Sequence, residues 1–453
     1  MSGWRETGAM RAIARIARHG ALPAAALAIA WIVGLAIHTY AARHDETLRL
    51  QDLAGSREAI QGVSIGGVVK DGYHRTTFRV QEGHVSSRTE VLEQPRWTFA
   101  DGGFGQSGEG KTYTAQREDD GTYKVIVYPT KDGSLVGVGE RAYASPSIAY
   151  RGQRGPVGQP ALANRLEDGI ATIGDRVYFT APVSGKFTGQ SGIYELKFYE
   201  WWQEQRIDKK EYAPRKLADI DLSANAQGEG GAIEVLGLEA IGGKLALVTA
   251  ERGALHVRCY DPDTGAELGA IAVPDVRPAA APDDAAAAGN RAAYEAHPDA
   301  SRSLLTLAFE RAAAGESGRP TTTVLVLDFA GGGIELAQRF DVDMNDGEAD
   351  TDSAMSAMYY RDGKLYAVKS RREPQNSDTR IAYEWLRPRH LYIYVYDRQS
   401  LAYKGELLTD VNDDSIRLVN MPANGSNSVY EQLDYRRFAD VSIAWDTDTE
   451  GTS

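Results

Sequence analysis

Val235-Leu236-Gly237-Leu238, Gly242-Gly243-Lys244, Leu245-Ala246-Leu247-Val248, Leu255-His256-Val257-Arg258-Cys259-Tyr260, Asp261-Pro262-Asp263-Thr264-Gly265 and the run from Glu267 to Val273 follow one another in a chain of 453 residues. In order they read as an apolar strand, a glycine turn, a second strand, an alternating third strand, a polar turn and a fourth strand. Two strands bracketing Asp-x-x-Thr-Gly form a hairpin. The unit is a four-stranded meander.

The same order recurs along the chain. The turn Arg361-Asp362-Gly363-Lys364 leads into Leu365–Val368, Leu391–Asp397 and Lys404–Leu408. Arg176–Phe179 precedes Ile193–Phe198, Leu304–Phe309 precedes Thr323–Phe329, and weaker copies begin near Val63 and Lys111. The equivalent second strands start near 176, 244, 304 and 364, a spacing of about sixty. Four strands per unit at such a period predict an all-β fold, a β-propeller. Six copies are recognisable, and Ile416 to Trp445 reads as a seventh. Seven blades over residues 62–446 are therefore expected, with six or eight as the neighbouring counts. The apolar Val441-Ser442-Ile443-Ala444-Trp445 is placed to pair with an early strand and close the ring, which removes exposed sheet edges.

The Gly-Lys-Leu strand followed by Tyr260-Asp261-Pro262-Asp263-Thr264-Gly265 resembles the repeat of WD40-like and quinoprotein-like propellers, over most of residues 60–445. Ala266-Glu267-Leu268 stands where quinoprotein repeats carry a Trp after Thr-Gly, and the Trp-Asp and Gly-His pairs of WD40 repeats do not recur. The resemblance thus implies a fold and no quinone cofactor.

In a propeller the second-to-third-strand loops and the connections between blades emerge on one face, and long loops on a rigid scaffold are where binding residues concentrate. One such loop, Ser370 to Arg389, holds Arg371, Arg372, Trp385, Arg387 and Arg389, and the connection Asp410 to Asp414 adds Asp413 and Asp414. Arg372, Trp385, Arg387, Arg389, Asp413 and Asp414 are the expected binding face. Asp341, Asp343, Asn345, Asp346 and Asp352 supply closely spaced hard oxygens of the kind calcium takes, although Asp346 stands where an EF-hand needs Gly and Asp352 where it needs a bidentate Glu. A solvated acidic loop is the plainer reading of that stretch. Trp201-Trp202 falls between the third and fourth strands of its blade, hence on the opposite face. The Ala/Pro-rich run Val276 to Ala300 reads as an excursion between blades, with a short helix at 285–296. No Gly-x-Ser-x-Gly, His-Glu-x-x-His, phosphate loop or dinucleotide fingerprint occurs, so no catalytic residue is assigned.

Between Gly20 and Ala42 the chain carries no charged residue, and Ala21 to Ile37 is its most apolar stretch. About twenty residues of helix cross a bilayer. Arg5, Arg11, Arg15 and Arg18 precede the run against Glu6 alone, which predicts a cytoplasmic leader (1–20), a signal-anchor helix (21–42), a juxtamembrane linker (43–61) and an extracytoplasmic propeller, with a disordered tail at 447–453. A cleaved secretory signal is the alternative. The whole chain has a formal charge of −13, and beyond the leader 46 basic residues face 62 acidic ones. Such a surface repels nucleic acid. A lone Cys259 excludes an internal disulfide. The expected function is a membrane-tethered binding or scaffolding module in a cell-envelope complex, partnered by another envelope or membrane protein; the alternative is a propeller enzyme acting on extracytoplasmic glycans or small molecules.

Overall fold

The computed structural model describes residues 28–33, 46–70, 74–91, 106–108, 110–131, 134, 135, 137, 139–151, 165–203, 212–223, 233–276, 294–311, 321–344, 354–372, 389–409 and 437–445. Among them the chain is all-β and propeller-like: six antiparallel sheets, most of them built around a meander, with only short 3-10 turns and a helical stretch at 28–33. The expected signal-anchor lies largely outside the described residues, and no described helix is long and apolar enough to cross a membrane.

The quoted stretch forms the fourth sheet. Glu234–Ile241, Lys244–Glu251, Ala254–Tyr260 and Glu267–Val273 lie side by side in sequence order. The second strand is buried over Leu245–Thr249 on both faces, because a neighbouring sheet covers each side, so its sequence is a continuous apolar run. The outermost strand has a wet face and alternates. Gly242 and Gly243 both sit at positive φ, the conformation the tight turn between the first two strands requires. The fifth sheet repeats the order with Glu295–Asp299, Leu304–Arg311, Thr321–Asp328 and Glu335–Val342, and the sixth with Ala354–Arg361, Lys364–Arg372, Arg389–Asp397 and Ser400–Thr409.

Among the described residues there are six sheets, and of the seventh unit expected at Ile416 to Trp445 only Arg437–Trp445 is described. Arg437–Trp445 builds no sheet of its own; it pairs with Val63–Lys70 as the innermost strand of the first sheet, whose other strands are His74–Gln81 and His84–Val91. The expected pairing of Val441–Trp445 with an early strand is therefore found. Trp445 reaches across to the sixth sheet, with the Arg361 guanidinium 4.5 Å from its ring centroid and the Tyr366 ring 6.2 Å away.

A second terminal strand lies within the stretch expected to be a linker. Leu48–Gly55 pairs with Ser400–Thr409 as a fifth, outer strand of the sixth sheet, and a 3-10 turn at Arg57–Ile60 follows it. Glu295–Asp299 is likewise a strand, the innermost of the fifth sheet, where a helix ending at 296 was expected. Poor β-formers on either side hid it; the pairing partner Leu304–Arg311 decides the outcome.

Hydrophobic clusters join the second, third and fourth sheets, the fourth and fifth, the fifth and sixth, and the sixth and first. Tyr178, Phe179, Phe187, Phe309, Phe340, Tyr394 and Tyr403 are essentially fully buried in them. Burial of each such side chain stabilises by roughly 1.5–3 kcal/mol. Innermost strands touch in succession from the first sheet to the sixth, fifth, fourth and third. Each sheet then has two ends. One carries the tight turns between first and second and between third and fourth strands, here the hairpin end; the other, the loop end, carries the second-to-third and inter-sheet connections.

Candidate functional site

The first strands of the third, fourth and fifth sheets bring a set of carboxyl groups together. Leu166–Gly169 is a 3-10 turn placed just before the innermost strand Ile170–Ile173, and it holds Asp168. Arg165 donates from Nε and Nη2 to Asp168 Oδ1, at 2.9 and 2.7 Å, while Oδ2 is buried with no hydrogen-bond partner among the described residues. Burial outweighs Arg165 and pushes the Asp168 carboxyl up to about 6. From the next turn residue, Glu167 Oε1 accepts the Ala115 N–H of the second sheet at 3.1 Å.

Glu239 projects from the fourth sheet. Its Oε1 accepts the Tyr294 hydroxyl at 2.8 Å, and burial raises its carboxyl to about 8. Asp168 adds to that rise. Tyr294, buried in its turn, is held well above the ordinary phenol range. Gly237 makes the approach possible: a Cβ there would lie 2.2 Å from the Tyr294 hydroxyl and 2.6 Å from the Asp168 carbonyl oxygen. The third, fourth and fifth sheets thus converge on one point.

Glu295 follows Tyr294 on the fifth sheet and faces the opposite way, as alternation along a strand dictates. Both its oxygens accept the Met355 N–H of the sixth sheet, at 3.0 and 2.8 Å. Burial lifts this carboxyl to about 7. Two residues on, His297 is pushed down to about 4 by burial, and its Nε2 is enclosed without a partner among the described residues. Near the loop end of the second strands, the buried Lys369 ammonium lies 3.9 Å from Glu310 Oε1. Glu239, Glu295 and His297 keep some solvent contact while being surrounded by protein. Their side chains are therefore enclosed by protein without being fully cut off from solvent. Protonated carboxyl groups held there can donate as well as accept, and Asp168 and Glu239 differ enough to hold opposite protonation states near neutral pH.

The residues expected from sequence fall elsewhere. Asp341 is on the outer strand of the fifth sheet, its carboxylate taken by Arg339 at 2.9 Å and by the Thr323 hydroxyl at 2.6 Å. Asp343 contributes its carbonyl oxygen to the Tyr396 hydroxyl at 2.6 Å. Asn345, Asp346 and Asp352 lie outside the described residues, and no group of three or more His, Cys, Asp or Glu is placed to hold a metal among those described. Arg372 and Arg389 end the second and third strands of the sixth sheet directly opposite one another. Trp385, Arg387, Asp413 and Asp414 lie outside the described residues. Trp202 is 53% exposed in a turn beside Tyr199–Glu200, which pairs with the second sheet. Cys259 is buried between strands, where burial raises its thiol.

None of Asp168, Glu239, Tyr294, Glu295 or His297 was marked by sequence reading. Glu295 and His297 sit inside the Ala/Pro-rich run set aside as an excursion. The available signal was the alternation Glu295-x-His297 preceding a strong strand, a polar pair where an innermost strand should stand.

No family model matches the chain, and no curated protein matches it. Solved structures similar to it include a candidate 6-phosphogluconolactonase from Bacteroides fragilis, at 13% identity and a TM-score of 0.32, covering 78% of this chain and 83% of that one. A protein of unknown function from Dyadobacter fermentans has 10% identity and a TM-score of 0.30, covering 81% and 99%. An endo-1,5-alpha-L-arabinanase from Thermotoga petrophila has 11% identity and a TM-score of 0.21, covering 77% and 98%. At these scores the neighbours assign the chain no activity.

Proposed function

We propose that this chain is a membrane-tethered six-bladed propeller, closed by its C-terminal strand, that binds a polyhydroxylated substrate at this carboxyl cluster and carries out general acid–base hydrolysis on it. The observation that supports this reading is the meeting of Asp168 and Glu239 across two sheets with carboxyl groups pushed up to about 6 and about 8. Near pH 7 Asp168 is mostly ionised and Glu239 mostly protonated, the division of labour that acid–base hydrolysis needs. Glu239 gives its proton to the leaving oxygen as the C–O bond breaks; Asp168 takes a proton from the water whose oxygen forms the new bond. Tyr294 positions Glu239, and Arg165 positions Asp168. The tether follows from the uncharged run Gly20–Ala42. A scaffolding role for the loop face draws on residues outside those described, and the carboxyl cluster supports catalysis more directly.

The full chain in detergent, incubated with a panel of oligosaccharides, should release reducing ends with a bell-shaped pH profile. Glu239→Gln and Asp168→Asn should each lower turnover at least 100-fold while the protein stays folded. No turnover across the panel, together with no shift in melting temperature on adding any member, would overturn the proposal.

A further inference from the structure

We infer that the loop end of the ring, where Asp168 and Glu295 lie, faces the bilayer, so that the substrate is taken from the membrane surface. The inference rests on the tether proposed above and adds its geometry.

Strand register fixes which end the N-terminus leaves from. Leu50 pairs with Leu407, Leu407 with Leu391, Leu391 with Ser370, and Ser370 with Ala354. This row crosses the whole sixth sheet and lies beside Met355, whose N–H holds Glu295. Leu48, opposite Thr409, lies beyond the row, at the loop end. Because twist rotates outer strands relative to inner ones, a second fixed point matters. Glu46 supplies it. Its N–H donates to Thr89 Oγ1 at 2.8 Å, and its carbonyl oxygen accepts the Ser87 hydroxyl at 2.6 Å. Thr89 is near Val91, the loop-end terminus of the outer strand of the first sheet. The Glu46 side chain is buried, and its Oε1 accepts the Thr409 hydroxyl. Glu46 is therefore pinned to two sheets at the loop end.

Only residues 43–45 separate Glu46 from the end of the uncharged run at Ala42. Three extended residues span at most about 10 Å. Such a tether cannot pass around a sheet to present the hairpin end. The occupant of this face is a lipid bilayer.

The test uses the full chain in nanodiscs of mixed phosphatidylcholine and phosphatidylglycerol with nitroxide-headgroup lipid, the buried Cys259 being left in place. Fluorophores go on Glu90→Cys and Ala272→Cys toward the loop end, and on Asp397→Cys and Ala330→Cys at the hairpin end; all four wild-type positions are exposed. Quenching at least threefold stronger for the loop-end pair is expected. A chain that stays with the discs but shows equal quenching, or stronger quenching at the hairpin end, overturns this orientation and leaves the tether standing. A chain that does not co-purify with the discs overturns the tether and the orientation together.

Discussion

The hairpin end and the carboxyl cluster use the same side chains in opposite ways. At the hairpin end Glu195 accepts Arg176 Nε at 2.9 Å and Arg215 Nε at 2.8 Å, and both arginines also reach the carbonyl of Pro262 in the fourth sheet, at 2.8 and 3.1 Å. Burial alone would raise the Glu195 carboxyl, but the two guanidinium groups outweigh it and hold the group below the ordinary carboxylate range. Lys244 bridges to the Phe329 carbonyl at 2.5 Å, and Arg302 to the Tyr360 carbonyl, so the next junctions are clasped from the same end. In the carboxyl cluster, which runs from Asp168 and Glu295 at the loop end to Glu239 farther along its strand, there are fewer cationic partners, and burial pushes all three carboxyl groups up. Pairing makes the first set structural. Burial without full pairing leaves the second set protonated at higher pH.

The most severe way to break the contrast is Gly237→Ala. Its Cβ would fall 2.2 Å from the Tyr294 hydroxyl and 2.6 Å from a backbone oxygen, contacts no rotamer change can relieve on the Asp168 side. Overpacking of this kind costs about 1–3 kcal/mol, and more where backbone must move. A fall in denaturant midpoint by at least that amount is expected, with loss of the Tyr294–Glu239 hydrogen bond. An alanine tolerated without change would mean that the three sheets do not converge as described.

A comparable but more diagnostic effect, of opposite sign and confined to alkaline pH, is expected from Glu239→Gln. Glu239 binds its proton up to about pH 8 when folded and only to about 4.5 when unfolded, so the native state holds the extra proton between those values. Stability therefore falls as pH rises from about 4.5 to 8. Glutamine cannot ionise and keeps an acceptor for Tyr294. The variant should be more stable than the parent at pH 8.5, by on the order of 3 kcal/mol at roughly 1.4 kcal/mol per pH unit and with allowance for partial solvent contact. It should match the parent near pH 4.5. Chemical denaturation at the two pH values checks this, and an equal difference at both would remove ionisation as the cause.

How much of this was legible in the sequence divides along the same line. The outer three strands of most sheets announce themselves by alternation and by turns such as Gly242-Gly243 and Asp261–Gly265, because one wet face imposes a period of two. First strands are harder to read. Ile170–Ile173 is four residues long, and Glu295–Asp299 carries a histidine and a proline. Polar residues there form the carboxyl cluster, so the apolar pattern is broken where that cluster lies. The end of the chain was legible in part: the apolar run Val441–Trp445 announced its pairing with an early strand, and long-range pairing with Val63–Lys70 assigns Arg437–Trp445 to the first sheet. The calcium set and basic loop attracted notice through charge density. Density shows neither pairing nor burial, and Asp341 proves to be occupied by Arg339.

At the hairpin end Glu195→Gln should have the smallest effect of the three. The side chain is 22% exposed and keeps one neutral acceptor after substitution, so a loss of about 1–2 kcal/mol near pH 7 is expected for charge-assisted bonds to Arg176 and Arg215. Its pH dependence should run opposite to that of Glu239. A carboxyl held low in the native state contributes stability that is present above its unfolded value near 4.5 and is lost as pH falls through the folded value. Parent and Glu195→Gln should therefore differ at pH 7 and converge in acid, whereas parent and Glu239→Gln converge near pH 4.5 and separate on the alkaline side. Measured together by denaturant titration at pH 3, 4.5, 7 and 8.5, the two variants give curves of opposite sign if the two regions are built as described. Curves of the same sign would place Glu195 among the under-paired carboxyl groups and dissolve the distinction between clasp and cluster.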